Sequence, residues 1–187
     1  DGLVFTAGTY ENQTYVFAFA LNEAPVWKKP NGSAWKVEVS WARGYDGPRS
    51  TPTYDKGVVY NLSERNKLTA YNAKNGDMVW SRDLMTDFDA DMPTYGFTES
   101  VLIENEKLFV KPAGKKGYMA CLNKSTGETI WINKEIQGEY GYDSPVLQNI
   151  GEYRQLISSS STGYFGLDTK TGTLLWTADI PNMHQLK

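Results

Sequence analysis

Asp87, Asp89 and Asp91 place three carboxylates at alternate positions, the spacing with which a loop begins to wrap a calcium ion. An EF-hand loop then needs Gly at its sixth position for a sharp turn and Glu at its twelfth for bidentate ligation. Met92 and Thr98 stand there, so the segment reads as a solvated connection. His184 is the only histidine, which removes His-based triads and zinc clusters. Cys121 is the only cysteine, which removes an intrachain disulfide and a Cys-based metal site. Residues 158–161 are four serines at a strand-to-strand turn with no general base identifiable beside them. Asn12, Asn61 and Asn123 each open a glycosylation tripeptide, a pattern short enough to arise by chance.

One polar pattern remains, and it recurs. Arg49-Ser50-Thr51, Thr98-Glu99-Ser100 and Asp143-Ser144-Pro145 follow Gly44-Tyr45-Asp46, Tyr95-Gly96-Phe97 and Tyr140-Gly141-Tyr142. Arg49, Glu99 and Asp143, with Tyr45, Tyr95 and Tyr142, thus stand at the start of three successive units. Such residues either hydrogen-bond their own strands and pair with one another, or face a shared funnel that takes a protein or small-molecule ligand. An ion pair between Arg49 and Glu99 fits the first reading.

The units that would position them are read from Trp. Residues 68–80, 119–131 and 164–176 share a register in which an Asn or Asp stands eight before the Trp and a Gly four before it. The four repeat tryptophans are Trp27, Trp80, Trp131 and Trp176, at steps of 53, 51 and 45 residues. The Trp27 copy keeps Asn22 but is three residues shorter in between. A period of roughly 40–50 residues with several strands per unit indicates a propeller or a related array. Each unit reads as four short β segments rich in β-branched and aromatic residues, broken by Gly or Asn-Gly every eight to twelve residues or so. Helix is hard to place anywhere.

The fold class is therefore all-β: four-stranded antiparallel blades of a propeller. Blade 1 spans 1–29 and lacks its first strand; blade 2 spans 47–83, blade 3 95–133 and blade 4 140–178, with 179–187 beginning another. That makes about three and three-quarter blades. The innermost strands are expected over 50–54, 99–103 and 143–148. Residues 30–46 read as a connection, with Asn31-Gly32 as a turn signal. A sheet cannot bury both faces alone, so blades must cover one another. Trp27, Trp80, Trp131 and Trp176 on the outermost strands are expected to dock on the next unit's turn, where Gly76, Gly127 and Gly172 leave room for a ring. Trp35 and Trp41 fall outside this register.

Composition narrows the rest. The chain of 187 residues is 40% hydrophobic and 13% aromatic, enough for one domain rich in large β-formers. Its net charge of −3 comes from scattered charges of both signs, which argues against a nucleic-acid partner. No stretch is long and apolar enough for a transmembrane helix.

The register Ala70-x-Asn72-x-x-Asn75-Gly76-x-x-x-Trp80 resembles the tryptophan-docking motif of the quinoprotein-like β-propellers. Asp168-Thr169-Lys170-Thr171-Gly172 with Trp176 is similar to that motif's usual form. Residues 47–53 and 142–147 look like the family's approach to the innermost strand. The resemblance covers nearly the whole chain and implies a ring of seven or eight blades, of which this chain holds about half. It also implies an extracytoplasmic, periplasmic setting. Members divide between dehydrogenases that hold pyrroloquinoline quinone (PQQ) with Ca²⁺ and cofactor-free propellers such as the scaffold of the outer-membrane assembly machinery. The alcohol dehydrogenases carry a vicinal disulfide, which one Cys cannot supply, and no Asp base or calcium set matches a motif here. The expectation is a non-catalytic binding or scaffold module with no evident cofactor. The alternative is a segment of a PQQ-dependent alcohol dehydrogenase whose catalytic residues lie in other blades. Open faces at the two ends imply further blades of a longer chain, or self-association that closes a ring.

Overall fold

A computed structural model describes residues 2–21, 23–37 and 47–179. Asn22, Trp41, Tyr45, Asp46, His184 and the expected start of a further blade after residue 179 lie outside the described residues. The described chain forms four antiparallel sheets, each a meander of consecutive strands. The first has three strands: β1 (Leu3–Tyr10), β2 (Gln13–Ala20) and β3 (Pro25–Ser33). The other three have four each. They are β4 (Thr53–Asp55) to β7 (Met78–Asp83), β8 (Leu102–Glu104) to β11 (Thr129–Asn133), and β12 (Val146–Ile150) to β15 (Leu174–Asp179). Among the described residues no helix is long and apolar enough to cross a membrane.

The recurring sequence explains the recurring hairpin. Asn72, Asn123 and Asp168 each turn their Oδ1 onto the backbone N–H two residues on, at 2.9, 2.8 and 2.6 Å. This is the local turn these side chains favour. Gly76, Gly127 and Gly172 then adopt φ of 72°, 76° and 75° and each donates its N–H to the carbonyl of that Asn or Asp at 2.8 Å. Four residues later comes the Trp. It pairs across the ladder with a small residue in every blade: Ala18 with Trp27, Ala70 with Trp80, Cys121 with Trp131 and Gly166 with Trp176. A bulge follows that small residue each time, re-aiming the strand beside the ring.

Three of the rings reach the next blade. The indole Nε1 of Trp27 donates to Ala73 O at 2.9 Å, that of Trp80 to Lys124 O at 2.8 Å and that of Trp131 to Thr169 O at 3.2 Å. A β-carbon at Gly76, Gly127 or Gly172 would lie 2.7, 2.8 or 2.5 Å from the ring above it. Trp176 differs, since its Nε1 donates to Gln155 Oε1 of its own blade at 2.7 Å. Between the sheets, both faces are apolar. Leu62, Leu68 and Ala70 meet Leu108, Val110 and Leu122 across one gap, and Phe109, Met119 and Cys121 meet Leu156, Phe165 and Leu167 across the next.

Three local expectations change. The ladders of β4, β8 and β12 begin at Thr53, Leu102 and Val146, about three residues later than read from sequence. The reason is where the preceding N–H groups go. Thr51 N donates to Ser100 Oγ at 2.9 Å and Ser100 N to Ser144 Oγ at 3.0 Å. These residues satisfy their backbone on the neighbouring blade instead of their own ladder. Asn31-Gly32 is no turn but part of β3. Asn31 is fully buried and clamps blade 1 to blade 2, donating to Asn61 Oδ1 at 2.8 Å and accepting from Thr69 Oγ1 at 2.7 Å. A short helix, α1 (Leu84–Phe88), does exist. Its cap is Asp83, which accepts from Thr86 N, and it buries Leu84 and Phe88. Five residues are too few to show helical periodicity in sequence.

Candidate functional site

The segments that lead into the inner strands gather at one end of the array. Arg49 donates through Nη1 to Tyr95 O, and its guanidinium lies 5.8 Å from the Trp35 ring and 5.7 Å from the Tyr95 ring. Tyr95 meets Tyr142 edge-on at 5.4 Å, and Tyr95 N donates to Tyr142 Oη at 3.3 Å. Tyr142 meets Tyr140 edge-on at 5.3 Å. Tyr140 Oη accepts from the N–H of both Thr98 and Glu99, at 3.1 Å each. A continuous aromatic and polar band therefore runs from Arg49 on blade 2 to Asp143 on blade 4. It includes five of the six residues expected there; Tyr45 is the sixth.

Glu99 does not depend on Arg49 for a partner. Its Oε1 accepts the backbone N–H of Lys111 at 2.6 Å. Lys111 is wholly buried and pairs with Asp143, Nζ to Oδ1 2.6 Å, with Asp143 32% exposed. The ammonium also donates to Asp143 O at 3.0 Å and to Ser158 Oγ at 3.1 Å. Asp143 accepts further from Ser158 Oγ at 2.8 Å and Ser159 Oγ at 2.6 Å. Burial opposes the Asp143 charge, but the Lys111 ammonium and the two hydroxyls outweigh it and hold its carboxyl below the usual range. Asp143 is thus a poor base, and Ser158 and Ser159 act as its hydrogen-bond donors rather than as activated nucleophiles. Burial pushes Glu99 the other way, up to about 7, against the opposing pull of Lys111.

Sequence reading missed Lys111, Tyr118 and Tyr140. Lys111 carried a usable signal: it ends the apolar run Leu108-Phe109-Val110, and a lysine buried in such a run needs an acid partner. Tyr118 bridges the Glu139 and Ser159 carbonyls at 3.0 Å each and accepts Gly141 N at 3.1 Å. Beside the band lies a cavity of about 510 Å³. Tyr118, Tyr140 and Tyr142 form one wall, Pro93 another, and Lys134 and Glu139 bring both signs of charge to the lining.

The other candidates are absorbed by structure. Asp87 pairs with Arg82 at 2.7 Å and Asp91 with Lys115 at 3.6 Å, while Asp89 caps α1 with φ of 51°. Among the described residues no three His, Cys, Asp or Glu side chains converge as a metal ion would need. Cys121 is buried in β10 (Met119–Asn123), and burial pushes its thiol up to about 11. Asn61 is fully buried, out of reach of glycan addition.

Comparisons with known proteins agree on the architecture. Residues 13–186 match the family described as outer membrane protein assembly factor BamB. The chain is 24% identical over 140 residues to quinoprotein alcohol dehydrogenase PedH of Pseudomonas putida, covering 70% of this chain and 22% of that protein. It is 24% identical over 136 residues to outer membrane protein assembly factor BamB of Salmonella typhimurium, covering 70% of this chain and 30% of that protein. The chain thus spans under a third of these relatives. Among solved structures it superposes on quinohemoprotein alcohol dehydrogenase ADHIIG from Pseudomonas putida HK5 with a TM-score of 0.61 at 17% identity, covering 96% of this chain and 33% of that one. It superposes on BamB from Moraxella catarrhalis with a TM-score of 0.57 at 16% identity, covering 95% and 48%.

Proposed function

Because the chain belongs to the family described as outer membrane protein assembly factor BamB, whose relatives include quinoprotein dehydrogenases, we propose that it is a non-catalytic, extracytoplasmic propeller segment that binds a protein partner at the mouth of its blades. The observation that carries this reading is the way charge is used at the mouth. Lys111 and Asp143 are committed to one another. The adjoining cavity of about 510 Å³ has tyrosine walls and residues of both charges. Aromatic surface with a polar tip and mixed charge suits a polypeptide segment.

In the same reading Trp27, Trp80 and Trp131 are docking residues seated on Gly76, Gly127 and Gly172, and Trp176 is the fourth of the set. The aromatic face of blade 1, with Tyr15, Phe17 and Phe19 in a row, is a surface for further propeller, from a longer chain or a second copy.

A second reading, a segment of a PQQ-dependent dehydrogenase, draws support from the likeness to PedH and ADHIIG. The described residues do not fit that cofactor set. Calcium takes about six to eight oxygen ligands, and no three acidic, His or Cys side chains converge among them. This reading needs its donors on other blades. To test the first, a photo-crosslinking side chain is placed at Tyr142 in the intact protein, with Met78, exposed on the outermost strand of blade 2, as control. Adducts of one defined mass at 142 and none at 78 are expected. Equal labelling at both positions contradicts a mouth-directed partner.

A further inference from the structure

We propose that the mouth carries a pH-responsive support, in which Glu99 is the protonated member of two acids served by one buried ammonium, and its ionisation loosens the wall formed by residues 140–144. This rests on the mouth being a binding surface; the titration itself does not.

The argument starts from donors. An ammonium has three N–H groups. Those of Lys111 have three acceptors, all away from the Glu99 side chain: Asp143 Oδ1 at 2.6 Å, Asp143 O at 3.0 Å and Ser158 Oγ at 3.1 Å. Glu99 is 0% exposed. Its Oε1 receives one backbone N–H, and its Oε2 has no hydrogen-bond partner among the described residues. A buried carboxylate with a single neutral donor is costly, so the carboxyl keeps its proton. Asp143 has the ammonium, two hydroxyls and solvent contact, and ionises. The two acids are driven apart by their settings, which assigns the proton to Glu99. Burial pushing Glu99 up to about 7 agrees with that assignment.

Lys111 and Asp143 are the charged groups whose fields act on Glu99. Tyr140 and Tyr118 are the neighbouring titratable groups, and burial pushes both hydroxyls well above their ordinary range. They stay neutral across the physiological window. Loss of the Glu99 proton leaves two carboxylates and one ammonium. Lys111 Nζ is then drawn from Asp143 toward Glu99. Besides the Lys111–Asp143 ion pair, the segment that Asp143 belongs to is fastened to blade 3 by single neutral hydrogen bonds and ring contacts. Thr98 Oγ1 donates to Tyr142 O at 3.4 Å, Ser100 N to Ser144 Oγ at 3.0 Å, and Glu99 N to Tyr140 Oη at 3.1 Å. Tyr140 and Tyr142 form the cavity wall. A weaker Lys111–Asp143 pair therefore frees the binding surface.

Amide spectra of the intact protein from about pH 5 to 9 test this. The Lys111 amide, which donates to Glu99, is expected to titrate with a midpoint within about one unit of 7. Exchange at the Thr98 and Glu99 amides, corrected for base catalysis, is expected to rise about fivefold across that midpoint. Glu99→Gln removes both transitions. Asp143→Asn releases the ammonium to Glu99 and lowers the midpoint by about one unit or more. A Lys111 midpoint near the ordinary glutamate range, one near 7 that survives Glu99→Gln, or unchanged exchange across it overturns the proposal. If Glu99→Gln does not fold, the Asp143→Asn shift decides, and an unmoved midpoint overturns it. No ligand is present in any arm, so a mouth that binds no partner leaves this result standing.

Discussion

Lys111 Nζ lies 2.6 Å from Asp143 Oδ1, on the neighbouring blade, with the lysine side chain wholly buried. The pair crosses the gap between blade 3 and blade 4 as a blade-to-blade fastener, and its ammonium lies 5.0 Å from the ring of Tyr140, which lines the cavity. Removing only the cation strands the Asp143 carboxylate, since Glu99 keeps its proton. Lys111→Met is predicted to cost about 3–5 kcal/mol, because an uncompensated carboxylate is left in a low-dielectric setting. The double variant Lys111→Met with Asp143→Asn should recover part of that loss. Denaturant unfolding of the three variants gives the comparison, and additive losses would contradict direct coupling.

The pH dependence of stability follows from Glu99. Its folded pKa of about 7 stands above the ordinary value of 4.5. The folded state binds the extra proton between those limits, so this group's contribution is fully present below 4.5 and is lost as pH rises to 7. The loss is at most about 3 kcal/mol. Asp143 runs the other way: its depressed carboxyl stabilises above its ordinary value, and that contribution is lost only as pH falls through the folded value. Unfolding free energy measured at pH 4.5 and 7 in wild type and Glu99→Gln checks this. The variant should lack the Glu99 part of the decline, and an identical slope in both proteins would refute it.

A methyl group at Gly127 would stand 2.8 Å from the Trp80 ring, on backbone with φ of +76°. Gly127→Ala is predicted to destabilise by about 1–3 kcal/mol through overpacking together with the cost of positive φ. Gly151 has φ of +60° with nothing within 4 Å. Gly151→Ala should cost only the backbone share, about 1 kcal/mol. Equal losses at the two sites, read from thermal unfolding, would mean that the ring contact contributes nothing.

Truncating Trp131, which is buried and bonded to Thr169 O, should cost about 3–5 kcal/mol. Trp176→Ala should cost less wherever Trp176 meets only its own Gln155. An equal loss for Trp176 in the intact protein would show that another surface covers it there.

Much of this was legible in sequence, and the reason is periodicity. A Gly four before each Trp, and an Asn or Asp eight before it, are local requirements of one turn and one ring, so they repeat visibly. The mouth was legible only in part. Arg49, Glu99 and Asp143 recur at matched positions, which marks where the inner strands begin. Their partners do not recur. Lys111 follows directly on β9 (Lys107–Val110), Ser158 and Ser159 come from β13 (Tyr153–Ser160), and Tyr118 from the turn before β10. Contacts between blades join residues tens of positions apart with no shared motif. Asn31 was misread for a similar reason. Asn-Gly is a turn signal by local conformation, but here the amide is buried against Asn61 and Thr69 of the next blade, and tertiary contact overrides the dipeptide.

The account's central claim is that the mouth serves binding rather than quinone chemistry. Titrating the intact protein with PQQ and Ca²⁺, followed by intrinsic fluorescence and by alcohol-dependent dye reduction, tests it most directly. The account predicts no saturable quenching and no dye reduction. Tight saturable binding accompanied by alcohol-dependent reduction would contradict it.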